Sequence, residues 1–532
     1  MKDSESPQVG YSWARASAVM MTAILASRLL GMLRDTVIAF RFGQDELTDA
    51  YRAAFQLPDL LFFMVAGGAL SSSLMPVFSR YWEQGRTEEA WRVFSIVATV
   101  MVSLTSALVL ILEVIAPLAV RAMFPGFDAD RLALTTHLTR IVLPAQICFL
   151  LGGLMMATLY ARKHFLAPAL GPNIYNIGII LGGLALALWL GVAGLAWGAL
   201  AGALIGSVLL PLIVMYRMGS AFRFEFNLRH EGAREVFRLM LPVMFGLSLP
   251  GIYMLILRVF ASSLPVGTIS ALDNANRQMQ APLGIVGQGI ALAIFPALTS
   301  LAARGEWGAM RLTLQQGLRL VWFLTAPATV LLLVLAEDIS RVLLQYGKFT
   351  PTDTQLVASA LRAFALGLFA WSGQALIARG FFALRDSLTP VLIGSAVTGL
   401  FVLLCVGFVR GLGLGHVGLA LATSVAATVQ MVWMLRVLTR RIPLAEGAAP
   451  RPLMGFLLRS GLATLLMGAF AYALHAGLHT LFRGVQANLQ SLIVGALVAA
   501  AAMSVYLWLC KRMGVREAEY VQRVLRRRAG TP

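Results

Sequence analysis

Charge is scarce in this chain. Only 13% of its 532 residues are Asp, Glu, Lys or Arg, about half of what a soluble domain carries. Hydrophobic residues make up 58% and the mean hydropathy is +0.78. Apolar runs of about twenty residues recur from end to end, as membrane-spanning helices require. A transmembrane β-barrel is excluded, because its segments would be about ten residues of alternating polarity. Cysteine is rare as well. Cys148, Cys405 and Cys510 lie far apart in apolar stretches, which excludes a disulfide framework or a thiolate metal site and leaves them as small buried hydrophobes. Acids number 25 against 43 bases, a net charge of +18. Nucleic-acid binding is not the reading, because Lys and Arg fall mainly in alternate loops and at the termini, as the positive-inside rule requires.

Chemistry is also missing. There is no glycine-rich phosphate loop or nucleotide-binding domain, so direct use of ATP is not expected. No pair of acids, and no histidine beside a loop-borne metal site, suggests an enzyme. The six histidines (His137, His164, His230, His416, His475 and His479) lack metal-ligand spacing except for His475 and His479. That pair, four residues apart, has no acidic companion in the sequence and reads as a solvated helix face. The only cofactor left open is a coupling cation of unknown identity. Asp386 is one candidate ligand for it, with a structural role beside Arg385 as the simpler reading. Residues 1–15 are mostly polar and the first apolar segment is too long for a signal-peptide core, so a cleavable leader is not expected.

What is present is an all-α polytopic pattern of about fourteen transmembrane helices. The spans read as Ala16–Phe42, Ala50–Phe78, Val93–Leu118, Leu132–Tyr160, Leu166–Leu190, Ala193–Met215, Leu239–Ser263, Ala275–Leu301, Leu312–Leu335, Thr354–Leu384, Pro390–Phe408, Val417–Val437, Leu453–Leu474 and Leu489–Leu509. With both termini cytoplasmic, Lys and Arg favour the inside by roughly three to one. An internal repeat runs through the first twelve spans. Leu74-Met75-Pro76-Val77-Phe78-Ser79, with Gly85 and Arg92, recurs as Ile294-Phe295-Pro296-Ala297-Leu298-Thr299, with Gly305 and Arg311. Arg121 before Phe124 to Phe127 recurs as Arg341 before Gln345 to Phe349, and Tyr160-Ala161-Arg162 as Ala383-Leu384-Arg385. The offset holds near about 220 residues, and an even number of spans per copy makes the repeats parallel.

The expected organisation is therefore a cytoplasmic tail 1–15, a six-helix lobe 16–218 and a cytoplasmic inter-lobe segment 219–238. A second six-helix lobe 239–440, a two-helix appendix 452–510 and a basic cytoplasmic tail 511–532 follow. The tail, with Arg523 and Arg526 to Arg528, is expected on anionic headgroups.

Against this apolar background the arginines inside spans are costly, about 2.5–3.5 kcal/mol each at the bilayer centre. Arg28 and Arg34 lie on the first span, about 9 Å apart along the helix and about 120° apart around it, so both can reach one wide cavity. The repeat aligns Arg34 with Arg258 on span seven. Arg379 lies deep in span ten. Arg52 and Arg277 stand near span ends, where snorkelling to the interface is the alternative. A cavity with several arginines and few carboxylates suits a phosphate-bearing ligand, because guanidinium binds phosphate bidentately and stays charged when desolvated. Asp35 and Asp49 are read as orienting arginines or capping helices.

The ordered set Ser27-Arg28-Leu29-Leu30-Gly31, Arg34-Asp35, Phe42-Gly43, Thr48-Asp49-Ala50 and Leu57-Pro58-Asp59-Leu60-Leu61 closely resembles the opening of the MurJ (MviN) family. Gln345-Tyr346-Gly347-Lys348-Phe349-Thr350, Gly380-Phe381-Phe382 and Thr389-Pro390 look like later signatures of that family, and the match covers nearly the whole chain. The family belongs to the multidrug/oligosaccharidyl-lipid/polysaccharide exporter superfamily and flips lipid II across the bacterial inner membrane. The resemblance implies alternating access, two lobes with a two-helix lipid-tail groove, and a cavity role for Arg28 and Arg34 supported by Asp49. Arg277 matches the family's arginine, while Asn276 replaces the acid common before it. On span two, Phe62, Phe63 and Gly67 stand where two arginines and a glutamate are frequent. Another polyprenyl-pyrophosphate glycolipid is therefore the alternative substrate. Membrane lipids and the cell-wall synthesis machinery are the implied partners. A cation-coupled drug exporter, which would want intramembrane carboxylates, fits the arginine excess less well.

Overall fold

The computed structural model describes residues 7–65, 69–443 and 453–519, and every regular element among them is helical. Among the described residues, ten helices are long and apolar enough to cross a membrane, and a pair bent by 46° supplies an eleventh when counted as one span. The chain forms two compact units, Met1–Ser270 with Tyr346–Phe349, and Ala271–Gln345 with Thr350–Pro532.

The first unit contains α1 (Pro7–Phe42), α2 (Glu46–Ala54), α3 (Gln56–Val65), α4 (Ala69–Glu83), α5 (Thr87–Met123), α6 (Ala129–Val142), α7 (Ala145–Ala161) and α8 (Leu166–Leu181). It continues with α9 (Ala187–Leu190), α10 (Ala193–Ala203), α11 (Leu210–Arg217) and α12 (Glu231–Ser262), and ends at Ser270 within α13 (Thr268–Pro282). Gly43 stops α1 with φ +73°, and a Cβ there would lie 2.9 Å from the Lys348 carbonyl oxygen. Asp45 then starts α2, its carboxylate accepting the Leu47 and Thr48 amides in a capping box. The expected second span is broken at Phe55. Pro58 has no N–H for the Ala54 carbonyl four residues back, and the Thr139 hydroxyl donates to that carbonyl instead at 3.2 Å. Gly67, one of the span-two positions singled out in the sequence, lies outside the described residues, as do Arg523 and Arg526 to Arg528 of the tail.

Two packing devices hold this unit. Phe78, Trp82, Trp91 and Phe94 form a chain of ring contacts with centroids 5.3–6.3 Å apart, joining α4 to α5. Between α8 and α10 the contact is made by glycines. A Cβ on Gly198 would lie 2.4 Å from the Gly178 oxygen, and one on Gly178 would lie 2.5 Å from the Gly198 oxygen. Gly182, Gly194 and Gly202 extend this seam at four-residue spacing, the small-xxx-small pattern that lets helices meet backbone to backbone. The segment between α11 and α12 lies extended along α5. Arg92 pairs with Glu225 at 2.8 Å, the Ser95 hydroxyl accepts the Arg223 amide, and the Phe222 ring meets Phe94. The Arg92 hydrogen bonds hold the Glu225 carboxyl below the usual carboxylate range.

The second unit contains the rest of α13, then α14 (Gly289–Ala303), α15 (Trp307–Leu344), α16 (Pro351–Ala365), α17 (Leu368–Ala383), α18 (Leu388–Val406), α19 (Gly415–Arg441), α20 (Leu453–Leu481) and α21 (Ala487–Arg512). The sequence repeat is visible as a repeat of elements. Gly85 (φ +75°) and Gly305 (φ +71°) precede the long helices α5 and α15. The broken pair α6–α7 answers the broken pair α16–α17. Lys163 (φ 60°) and Arg385 (φ 59°), the two non-glycine residues with positive φ among the described residues, follow those pairs at equivalent places.

The hairpin α20–α21 packs on α15 through a core that includes Phe323, Met467, Val498 and Tyr506, whose hydroxyl donates to the Phe323 carbonyl at 2.9 Å. Here two sequence readings are corrected. His475 and His479 do have an acidic companion: Asp338, 137 and 141 residues away, accepts from both rings at 2.6 and 3.0 Å. Asp386 is tied not to its neighbour Arg385 but to Arg441 and to the Thr389 amide. The Asp338–histidine and Asp386–Arg441 pairs join residues far apart in sequence, which periodicity does not reveal.

Candidate functional site

Arg34 is the best-anchored of the candidate arginines. Its α1 helix packs against α8, and its Nη1 donates to Asn176 Oδ1 at 2.9 Å. Nε and Nη2 donate to Asp35 Oδ1 at 3.2 and 3.1 Å. The Asn176 amide group in turn donates to the Ser27 and Pro172 carbonyls at 3.3 and 3.1 Å. One turn back, Asn173 donates to the Ala23 carbonyl across the same helix pair at 3.2 Å. An asparagine orients a guanidinium without adding charge, so among the described residues it is Asp35 that offsets Arg34. Arg28, two turns earlier on α1, is exposed.

Asp49 and Arg52 sit on α2 and are both buried, so Arg52 does not reach out to the membrane surface. Asp49 accepts the amides of Gly267 and Ser270 at 2.7 and 2.8 Å, satisfying first-turn donors of α13 that a helix leaves unpaired. Its carboxylate is also close enough to Arg52 to feel its charge. This is the capping role read from the sequence. Arg258, on α12, is half-buried and donates from Nη1 to Gln56 Oε1 on α3 at 2.8 Å. The arginines that the repeat aligns thus each meet a side-chain amide, on separate helix pairs of one unit.

Arg277 and Arg379 belong to the second unit. Because α13 begins at Thr268, Arg277 lies nine residues into the helix instead of near its start. The polar run 270–276 looks like a loop by composition, yet Ser270, Asp273 and Asn274 are buried and helical. Arg277 itself is exposed and Asn276 half-buried. Arg379 on α17 is half-buried, its guanidinium 5.3 Å from the Phe295 ring centroid and 5.8 Å from that of Phe382. Aromatic faces hold a guanidinium in place while leaving its hydrogen-bond donors available.

Sequence reasoning missed Asn176 and Gln56. The available signal for Asn176 was a pair of asparagines, Asn173 and Asn176, inside an apolar span. Polar side chains there must find partners on a neighbouring helix. Phe62, at a position where the family often carries charge, contacts Phe63 and Phe149, and Phe149 contacts Tyr175 beside Asn176.

A sequence profile described as the lipid II flippase MurJ matches residues 38–503. A Rhizobium tropici protein named as a probable lipid II flippase MurJ is 29% identical over 96% of this chain and 96% of its own length. A Burkholderia cenocepacia protein named lipid II flippase MurJ is 28% identical over 80% of this chain and 84% of its own. Among solved structures, a lipid II flippase MurJ in an inward closed conformation superposes with a TM-score of 0.74 at 24% identity, covering 92% of this chain and 98% of that one. An inward-facing multidrug resistance MATE family transporter of the MOP superfamily superposes at 0.62 with 15% identity, covering 81% and 99%. A profile match over most of the chain, on an all-helical fold shared with that flippase, makes this protein a member of the MurJ lipid II flippase family.

Proposed function

We propose that this protein moves lipid II, the undecaprenyl-pyrophosphate-linked peptidoglycan precursor, from the cytoplasmic to the periplasmic leaflet of the bacterial inner membrane by alternating access. The observation that carries the reading is Arg34, a cation within an apolar helix held in one orientation by Asn176 and Asp35. Arg28, Arg52 and Arg258 of the same unit supply further positive charge for a pyrophosphate, and Arg277 and Arg379 are the substrate-binding candidates of the second unit. Asp35, Asp49 and Asn276 support them. Guanidinium suits that ligand because it pairs with phosphate oxygens in a fork and does not lose its proton when desolvated. The isoprenoid tail stays in lipid along the groove of α20 and α21, and a cation gradient or the membrane potential drives the cycle. Counting α1, the broken segment α2–α4 and α12 as spans brings the total to about fourteen, with both termini in the cytoplasm. Membrane lipids and the cell-wall synthesis machinery are the partners this role requires.

The test is complementation of cells depleted of their own flippase. Arg34→Ala is expected to abolish growth at wild-type protein levels in the membrane, and Arg34→Lys to recover only part of it. Full growth of Arg34→Ala overturns the assignment. Native mass spectrometry of the purified protein with lipid II and other polyprenyl-pyrophosphate lipids then identifies the headgroup it prefers.

A further inference from the structure

Asp338, His475 and His479 form a cluster that transport of a pyrophosphate lipid leaves unused. Asp338 is 2% exposed, in the second-last turn of α15. His475 and His479 project from one face of α20, their ring centroids 4.5 Å apart. Both Nε2 atoms point at the same carboxylate, one on each oxygen. The three potential ligand atoms all lie within 4.8 Å of one another. We propose that this cluster is a transition-metal site of the zinc class, clamping the C-terminal hairpin onto α15.

Five features support the assignment. An i,i+4 histidine pair on a helix presents two imidazoles to one ion, and a carboxylate from a neighbouring helix completes three protein ligands, leaving a position for water. Imidazole with carboxylate and no thiolate favours Zn²⁺ and its first-row neighbours over Mg²⁺ or Ca²⁺, which prefer all-oxygen sites. Tetrahedral zinc with bonds of about 2.0–2.1 Å sets its ligands about 3.3 Å apart. The present 2.6 and 3.0 Å separations therefore open by less than an ångström when an ion replaces the hydrogen-bonding protons, and the two imidazole nitrogens, within 4.8 Å of each other, close by about 1.5 Å at most. Outer contacts that fix the ligands are present. Ser491 on α21 lies beside Asp338 and accepts from Arg341 at 3.0 Å, and the His479 carbonyl accepts from Gln490 at 2.9 Å. The histidine side chains are 23% and 25% exposed, and they sit in the last two turns of α20 before it reverses into α21, so an ion has a way in.

The experiment uses the tag-free full-length protein in detergent, titrated with Co²⁺ followed by its visible ligand-field absorption and with Zn²⁺ by calorimetry. One ion per chain is expected, with Zn²⁺ displacing Co²⁺. In His475→Gln/His479→Gln the affinity is expected to fall at least tenfold, because glutamine keeps a donor for Asp338 but is a poor metal ligand. Zn²⁺ should raise the melting temperature of the wild type and not that of the double variant. If the double variant does not fold, His479→Gln alone is expected to weaken binding about tenfold. Absence of saturable binding by the wild type, or equal affinity in the folded variant, overturns the site and leaves the cluster as a hydrogen-bonded staple. The outcome is independent of which lipid the protein carries.

Discussion

The two copies of the repeat build equivalent long helices, α5 and α15, and give them opposite surroundings. On α5, Leu110, Val114 and Leu118 are 67%, 76% and 72% exposed, an apolar face open to lipid. At the repeat offset of about 220 residues, Leu118 corresponds to Asp338, which is buried and bonded to two histidines. Glu337, Arg341 and Arg319 on α15 are likewise paired, to one another, to Ser491 or to Glu517. The difference is the hairpin α20–α21, which covers α15 and, among the described residues, has no counterpart on α5. Once a second surface supplies partners, a helix can carry polar residues that hydrocarbon alone would not tolerate.

The sharpest way to break this comparison is to exchange the chemistry of the paired positions. Leu118→Asp places a carboxylate with no covering hairpin on the lipid side of α5, and is expected to lower the inserted yield and to cost up to about 2.5 kcal/mol, below the bilayer-centre penalty because Leu118 ends its span. The assay is membrane yield and thermal unfolding against Leu118→Asn. Gly198→Val comes next, because its side chain would press on the Gly178 carbonyl. About 1–3 kcal/mol of destabilisation is expected, read as a lower melting temperature in detergent. Asn176→Ala should cost only about 1–2 kcal/mol of stability, the scale of a buried hydrogen bond to a charge. It should nevertheless cut complementation well below that of Asn173→Ala, since of the two asparagines Asn176 is the one that bonds Arg34. Equal complementation by the two variants would separate Arg34's orientation from activity.

The smallest effect concerns the segment between α11 and α12. Glu225 has a lowered pKa in the folded protein, so its pairing with Arg92 stabilises fully above the ordinary carboxylate pKa of about 4.3. It is lost as pH falls through the lowered folded value. Hydrogen exchange of residues 219–230 should therefore speed up, beyond its intrinsic pH dependence, below about pH 4. Arg92→Ala should show the same looseness at pH 7.

Much of the fold was legible because hydrocarbon enforces a simple code. Long apolar runs, alternation of basic loops and the Pro76/Pro296 and Gly85/Gly305 echoes pointed to most of the spans and to the repeat. The start of α13 was not legible, since the run 270–276 is polar and only its burial, with Asp49 at its amides, makes it helix. At the candidate site, Arg34, Arg258 and Asp49 stood out by their cost or by family signature. Their partners did not. Asn176 lies 142 residues from Arg34, Gln56 lies 202 from Arg258, and Asp338 lies 137 from His475. Nothing periodic links such positions, and an amide or a lone acid inside an apolar stretch does not reveal which helix it will face.

The glycine seam between α8 and α10 has a bearing on aim as well as on packing. Glycine has no rotamers to freeze, so the two helices lock without side-chain entropy loss and without teeth that could settle in alternative ways. α8 is therefore the datum against which α1 is registered, and Asn176 is the pointer that transfers that datum to Arg34. A slip of one residue at the seam would shift the pointer by about 1.5 Å and turn it by about 100°. The guanidinium would then be addressed to a different part of the protein, although nothing within its own hydrogen-bonding reach had been mutated.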